Sequence, residues 1–143
     1  MHYTLQNNFK PLPALAYFHI PLPEYRTAFD DDKNIRFGER NEDECPSDLN
    51  SGMFLAMREM RDVMATFVGH EHVNDYIVNY YGIALAYGHF SGWTTTYTPK
   101  PAINGVRVVV LKEDKREFDS WLHQIDGTVK QKVTYPADFK STP

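Results

Sequence analysis

The sequence predicts an α/β (α+β) fold, a mixed sheet with a β-rich tail, and three observations carry that expectation. Two apolar runs of strand length, Pro13 to Phe18 and Val63 to Val68, flank a stretch of helical periodicity between about Ser51 and Arg61. A hairpin signature follows at Asp75 to Tyr87. Three further alternating segments close the chain. With 143 residues, the chain has single-domain size, is read as one domain over 1–143, and can bury roughly two thirds of the surface its unfolded form exposes.

The elements follow in order. The first apolar run ends in His19, where Pro21 and Pro23 stop it. Every position from Ala14 to Phe18 is apolar, the pattern of a strand covered on both faces. Asp30 to Asp48 reads as an irregular loop, and its consecutive acids Asp30, Asp31 and Asp32 lack ligand spacing and read as a solvated face. Asn50-Ser51-Gly52 offers helix N-cap chemistry, after which Met53, Met57, Met60 and Met64 fall on one helical stripe. A strand–helix–strand order implies a right-handed crossover between parallel strands, so both strand ends lie on one edge of the sheet. Beyond it, Asp75–Tyr80 and Ile83–Tyr87 flank Tyr81-Gly82 as a hairpin, and Gly88 to Lys100 leaves as a loop. Val106–Leu111, Glu117–His123 and Val129–Val133 complete an antiparallel tail, with Phe118, Ser120 and Leu122 on one face of the middle strand and Trp121 and His123 on the other.

Gly69-His70-Glu71-His72, directly after the second apolar run, puts two imidazoles on a tight turn at a strand end. Neutral imidazole is the commonest protein ligand for divalent transition metals, and glycine lets the backbone turn sharply. Two solvent-facing loop histidines are the alternative reading of these four residues. The crossover brings His19 to the same edge, where open α/β sheets place their ligands.

Three blocks carry a resemblance. Ala16-Tyr17-Phe18-His19-Ile20-Pro21-Leu22-Pro23-Glu24-Tyr25, Phe67-Val68-Gly69-His70-Glu71-His72-Val73-Asn74-Asp75-Tyr76 and Leu85-Ala86-Tyr87-Gly88-His89-Phe90-Ser91-Gly92 resemble the C-terminal half of calcineurin-like metallophosphoesterases, in the purple-acid-phosphatase-like branch. The similarity runs from about Leu12 to Phe139. It implies half of an αββα sandwich and part of a site for two divalent ions, zinc, manganese or iron, that hydrolyses phosphate esters. His19 and His70 look like ligands of one ion and His72 of the other. Glu71 occupies a variable position and reads as a solvated turn residue. Asn74 and Asp75 match the pattern; Asp75 either orients a ligand imidazole or serves the turn. His89 stands where relatives commonly carry arginine and is the candidate contact to a substrate phosphate, with a plain loop histidine as the alternative. Tyr87 and Trp93 are candidates to line the pocket. The family's upstream motifs, of the forms D-x-H, G-D-x-x-D and G-N-H-[DE], do not occur here. The resemblance therefore implies a piece of a longer enzyme, with the N-terminal half as its structural partner and little activity alone.

Composition narrows the alternatives. A net charge of −4 without a Lys/Arg cluster among aromatics argues against a nucleic-acid surface. The single cysteine, Cys45, excludes an internal disulfide and a cysteine-rich zinc site. No signal peptide or membrane span is read, and for a piece of a longer chain the destination, secreted or periplasmic included, stays open. A non-catalytic binding or regulatory module on the same scaffold is the rival function; a secreted structural or carbohydrate-associated domain, suggested only by the aromatic β tail, ranks below it. Half a sandwich would also expose a sheet face and self-associate, unless the β tail folds over it.

Overall fold

The computed structural model describes residues 11–92 and 103–140. Among the described residues, ten helices and strands run in the order β1 (Ala14–Tyr17), α1 (Glu24–Asp30), β2 (Arg36–Phe37), α2 (Met53–Met60), β3 (Val63–Val68), β4 (Ile77–Tyr80), β5 (Ile83–Tyr87), β6 (Gly105–Leu111), β7 (Phe118–Gln124) and β8 (Val129–Tyr135), followed by a 3₁₀ turn at Ala137–Phe139. A five-stranded mixed sheet has the order β1-β3-β5-β4-β2, and a three-stranded antiparallel sheet the order β6-β7-β8. The α+β expectation holds. No helix among the described residues is long and apolar enough to cross a membrane.

β3 explains why the sheet is parallel at its centre. All six of its residues are buried, and it pairs in parallel with β1 on one side and β5 on the other. A near-continuous apolar run suits a strand covered on both faces, and its one polar side chain, Thr66, is hydrogen-bonded to the Tyr25 hydroxyl at 2.7 Å. Val63 and Val68 face the helices, joining Tyr25 and Ala28 of α1, Phe54 and Met57 of α2, and Tyr76, Val78, Ile83, Leu85 and Tyr87. Met64, Ala65 and Phe67 face the tail sheet, meeting Ile77, Ala84, Ala86, Phe118, Val133, Tyr135 and Phe139. The layers are thus helices, five-stranded sheet, three-stranded sheet. The β tail does fold over the second face, so the bare sheet face that half a sandwich would leave is not formed there.

Several local expectations are corrected. β1 is an edge strand, half-buried for three residues and exposed at Tyr17, whose ring instead stacks on Phe67 at 5.0 Å. Within α2, the methionine stripe faces inward only at Met57. α2 buries Phe54 and Met57, whereas Met53 and Met60 are exposed and Met64 belongs to β3. The helix stops at Arg61, which takes a left-handed φ of 59° while its N–H donates to Met57 O, and this resets the periodicity before Met64. Neither Asn50 nor Ser51 caps α2: the N-cap is Gly52, at φ 73°. Asn50 Oδ1 accepts from Gly52 N at 2.9 Å instead. The loop read across Asp30 to Asp48 contains β2, and α1 was not anticipated. Asp30, Asp31 and Asp32 are solvated as expected, Asp32 pairing with Arg36 at 2.7 Å and Asp30 with Arg40 at 2.8 Å. In the tail, Phe118, Ser120 and Leu122 are buried and His123 is exposed, the expected alternation.

Candidate functional site

β1, β3 and β5 are adjacent and parallel, so their carboxyl ends share one edge. His19 follows β1, His70 and His72 follow β3, and His89 follows β5. Backbone bonds extend the ladder past the strands: Phe18 N donates to Phe67 O at 3.1 Å, Gly69 N to His19 O at 3.0 Å and Gly88 N to Val68 O at 2.8 Å. These bonds seat His19 beside the glycine of the histidine turn. The expected convergence of residues some fifty positions apart is present.

The rings of His19 and His70 lie 5.2 Å apart, edge to face at 80°. A Cβ at Gly69 would stand in van der Waals contact with His19 Nδ1 at 3.4 Å, so glycine keeps that nitrogen open. His70 itself has φ 74°, and Glu71 N donates to Gly69 O at 3.0 Å, which closes a three-residue γ-turn of the rare, strained hand. His70 is exposed and His72 half-buried. A cavity of 210 Å³ is lined by His70, Glu71, His72, Gly88, His89 and Phe90, among others. A larger open groove of 730 Å³ adjoins it, sharing Val68, Gly88 and His89 and adding His19 and Arg107.

His89 is held from behind. Its Nε2 lies 2.8 Å from Ile103 O, and because a carbonyl only accepts, Nε2 carries the proton. Nδ1 is then the acceptor; it is buried and has no hydrogen-bond partner among the described residues. Trp93, expected to line the pocket, lies outside the described residues, as does the rest of its loop to Lys100. Tyr87 does not line either cavity; it is fully buried beneath the turn.

Glu71 overturns the expectation of a solvated residue. It is 5% exposed, its Oε2 accepts from Tyr87 OH at 2.5 Å and its Oε1 from Cys45 N at 2.8 Å. Burial, then the bonded carboxylate, push the Tyr87 hydroxyl well above its ordinary pKa, which keeps it a donor. A parallel pair lies deeper: Tyr76 OH donates to Glu44 Oε1 at 2.5 Å, and Glu44 is paired with Arg40 at 2.7 Å. Burial, followed by Glu44, raises the Tyr76 pKa likewise.

Asn74 and Asp75 bind the loop opposite. Asn74 Oδ1 accepts from Asn41 N at 2.8 Å and Glu42 N at 3.0 Å, and its Nδ2 donates to Glu42 O at 2.9 Å. Asp75 Oδ1 accepts from Glu39 N at 2.8 Å and Gln131 Nε2 at 2.7 Å, bonds that serve the turn. Arg107 of β6 donates to Tyr87 O and Asp75 O, each at 2.6 Å, and burial lowers its pKa to about 10, leaving it charged at neutral pH. Arg107, Glu44 and the buried tyrosines Tyr25 and Tyr76 had no place in the site expected from the sequence, and Tyr87 was expected in the pocket wall rather than beneath the turn. One signal was available: Arg107 is the only charged residue in the otherwise apolar run from Gly105 to Leu111.

The fold and this edge define a histidine-bearing α+β scaffold, and the chain is similar in sequence to proteins named for purple acid phosphatases. The chain is 38% identical over 123 residues, 86% of its length, to a protein of Arabidopsis thaliana named "Probable inactive purple acid phosphatase 29". It is 35% identical over 109 residues, 76% of its length, to "Probable inactive purple acid phosphatase 14", and 36% identical over 133 residues, 82% of its length, to "Probable inactive purple acid phosphatase 28" of the same plant. The matches span 30%, 26% and 32% of those relatives, so the chain corresponds to between a quarter and a third of each. No protein-family model matches the chain. No solved structure matches it either.

Among the described residues, no group of three or more His, Cys, Asp or Glu side chains could hold a metal ion. The pair His19 and His70 does fit part of a coordination sphere. Two imidazoles on one tetrahedral ion at about 2.0 to 2.1 Å have ring centroids roughly 5 Å apart.

Proposed function

We propose that this chain is the C-terminal portion of a purple-acid-phosphatase-like metallophosphoesterase and carries part of its dinuclear site. The observation that supports this reading best is the His19–His70 pair, two imidazoles 5.2 Å apart at the carboxyl ends of adjacent parallel strands. His19 and His70 would hold one divalent ion, zinc, manganese or iron, and His72 would contribute to a second. When bound, such ions supply positive charge to the phosphoryl oxygens and acidify a water. The chain's own residues do the rest of the positioning. Gly69 leaves the His19 nitrogen accessible, and His89 lines the cavity that also takes in His70 and His72. From that position His89 would be the contact to a substrate phosphate. The N-terminal half of the same enzyme would complete both coordination spheres.

A second reading is a non-catalytic binding or regulatory module on the same scaffold. It is favoured by the lack of a three-ligand group among the described residues, and by the word "inactive" in the names of the relatives. Calorimetry with zinc or manganese tests the ligand assignment. The chain is expected to take up metal weakly or at one site, and His70→Ala to abolish it. Uptake indifferent to His70→Ala would overturn the assignment. With an aryl phosphate and added manganese, the chain alone is expected to show negligible turnover; robust turnover lost in His72→Ala would mean that a complete site resides in this chain.

A further inference from the structure

We propose that Glu71 is the positioning residue of the histidine turn, fixing His70 against His19 through Tyr87 on one side and the 39–45 loop on the other. The inference rests on the metal-site reading above for its purpose, though not for its geometry. Glu71 stands between the two histidines of the turn, and its carboxylate is bonded inward, to the Tyr87 hydroxyl and the Cys45 amide. It is buried, whereas His70 is exposed and His72 half-buried.

Its two oxygens are used by two different parts of the fold. Oε2 takes the Tyr87 hydroxyl at 2.5 Å, and Tyr87 is set in the core, its ring packed edge-on against Tyr25 at 5.5 Å and Tyr76 at 4.9 Å. Oε1 takes the Cys45 amide at 2.8 Å, which ties down the loop that also grips the turn through Asn74. Hydrogen bonds to a charged acceptor are roughly twice as strong as neutral ones. The carboxylate therefore anchors a turn whose centre, His70 at φ 74°, would otherwise relax to an ordinary backbone conformation. A residue that acts in this way touches no metal and no substrate. It sets where the imidazoles stand, as outer-sphere partners do in metal sites.

The chemistry makes the variants distinguishable. In Glu71→Gln the amide oxygen can keep the Cys45 bond, and the Tyr87 hydroxyl can rotate to accept from the amide nitrogen. Glu71→Ala removes both bonds. Tyr87→Phe removes one and retains the ring that fills the core.

The test is solution NMR of the full chain, following the cross-relaxation between the His19 and His70 rings, together with zinc titration by calorimetry. Wild type and Glu71→Gln are expected to show the ring contact, with zinc affinities within about threefold of each other. Tyr87→Phe should weaken the contact and lower affinity roughly 10-fold, and Glu71→Ala should abolish the contact and lower affinity by up to roughly 100-fold. Amide exchange in β3 and β5 reports whether the core survives; if Glu71→Ala fails to fold, Tyr87→Phe decides. A His19–His70 contact that persists in Tyr87→Phe and Glu71→Ala, or that is missing in wild type, would overturn the proposal. Should wild type take up no zinc at all, the metal-site reading falls, while the ring contact still decides the part played by Glu71.

Discussion

On the helix-covered face of the five-stranded sheet, Tyr25, Tyr76 and Tyr87 pack edge to face, and their hydroxyls reach Thr66, Glu44 and Glu71 at 2.7, 2.5 and 2.5 Å. On the opposite face, Ala65, Ala84 and Ala86 let Phe118, Val133, Tyr135 and Phe139 of the tail settle close against the sheet. The first face is polar at its heart and is continuous with the histidine turn through Tyr87 and Glu71. The second is ordinary apolar packing. Both bury aromatic rings, so area alone would make them equal; they differ in what happens when a single group is changed. A satisfied buried polar network holds specific atoms in place and fails sharply when one partner goes. Apolar packing loses stability in proportion to the void and leaves the site alone.

Phe118→Ala on the apolar face should give the largest effect. The ring is fully buried and stacks on Tyr135 at 5.1 Å, and its loss should cost about 3 to 5 kcal/mol in urea unfolding. The His19–His70 ring contact should survive in the folded fraction. Displacement of that contact by Phe118→Ala would break the distinction between the faces.

Alkaline titration addresses the polar face. Burial holds the pKa of Tyr25, Tyr76 and Tyr87 above the ordinary value of 10. Their protonated state is favoured by folding, so stability is fully present below pH 10. It falls as pH rises beyond that, because the unfolded chain releases protons that the folded chain keeps. Each tyrosine should contribute about 1.4 kcal/mol of loss per pH unit. Denaturant midpoints at pH 9, 10 and 11 measure the slope, and each Tyr→Phe change among the three should flatten it by one proton. A flat profile to pH 11 would remove the claim that these hydroxyls are held protonated.

At neutral pH, Tyr76→Phe should cost less than the Phe118 change, about 1 to 3 kcal/mol, because Glu44 Oε1 loses its donor. The smallest effect belongs outside both faces. Asp32→Asn removes an ion pair whose acid is 91% exposed, and should shift stability by less than about 0.5 kcal/mol. A larger loss would mean that the acidic loop is not the solvated face it resembles.

Features written in contiguous residues were legible in the sequence. The apolar run Val63–Val68 announces a buried strand, Tyr81-Gly82 announces the turn of β4 and β5, and the alternation around Leu122 announces its face. The convergence of His19 with His70 and His72 followed from the expected crossover between parallel strands, whereas His89 joins that edge because β5 pairs in parallel with β3, which the hairpin pattern did not announce. What escaped was set by distant partners. Glu71 looks like a turn acid until Tyr87, sixteen positions on, and Cys45, twenty-six positions back, supply its donors. The α1 helix has seven residues and follows Pro23 without a side-chain cap, so local signals were slight, and Tyr25 and Ala28 fix it by packing. The methionine stripe misled because a helical period was carried across Arg61, where the chain reverses hand.

The left-handed backbone at His70 has a consequence for anyone who would engineer this chain. Position 70 suits glycine, which takes φ near 74° freely, whereas a side chain there costs roughly 1 to 2 kcal/mol. A library screened for thermal tolerance alone would therefore enrich His70→Gly and discard an imidazole of the candidate site while appearing to improve the protein. Screens that score heat resistance and ligand capture together would keep the histidine.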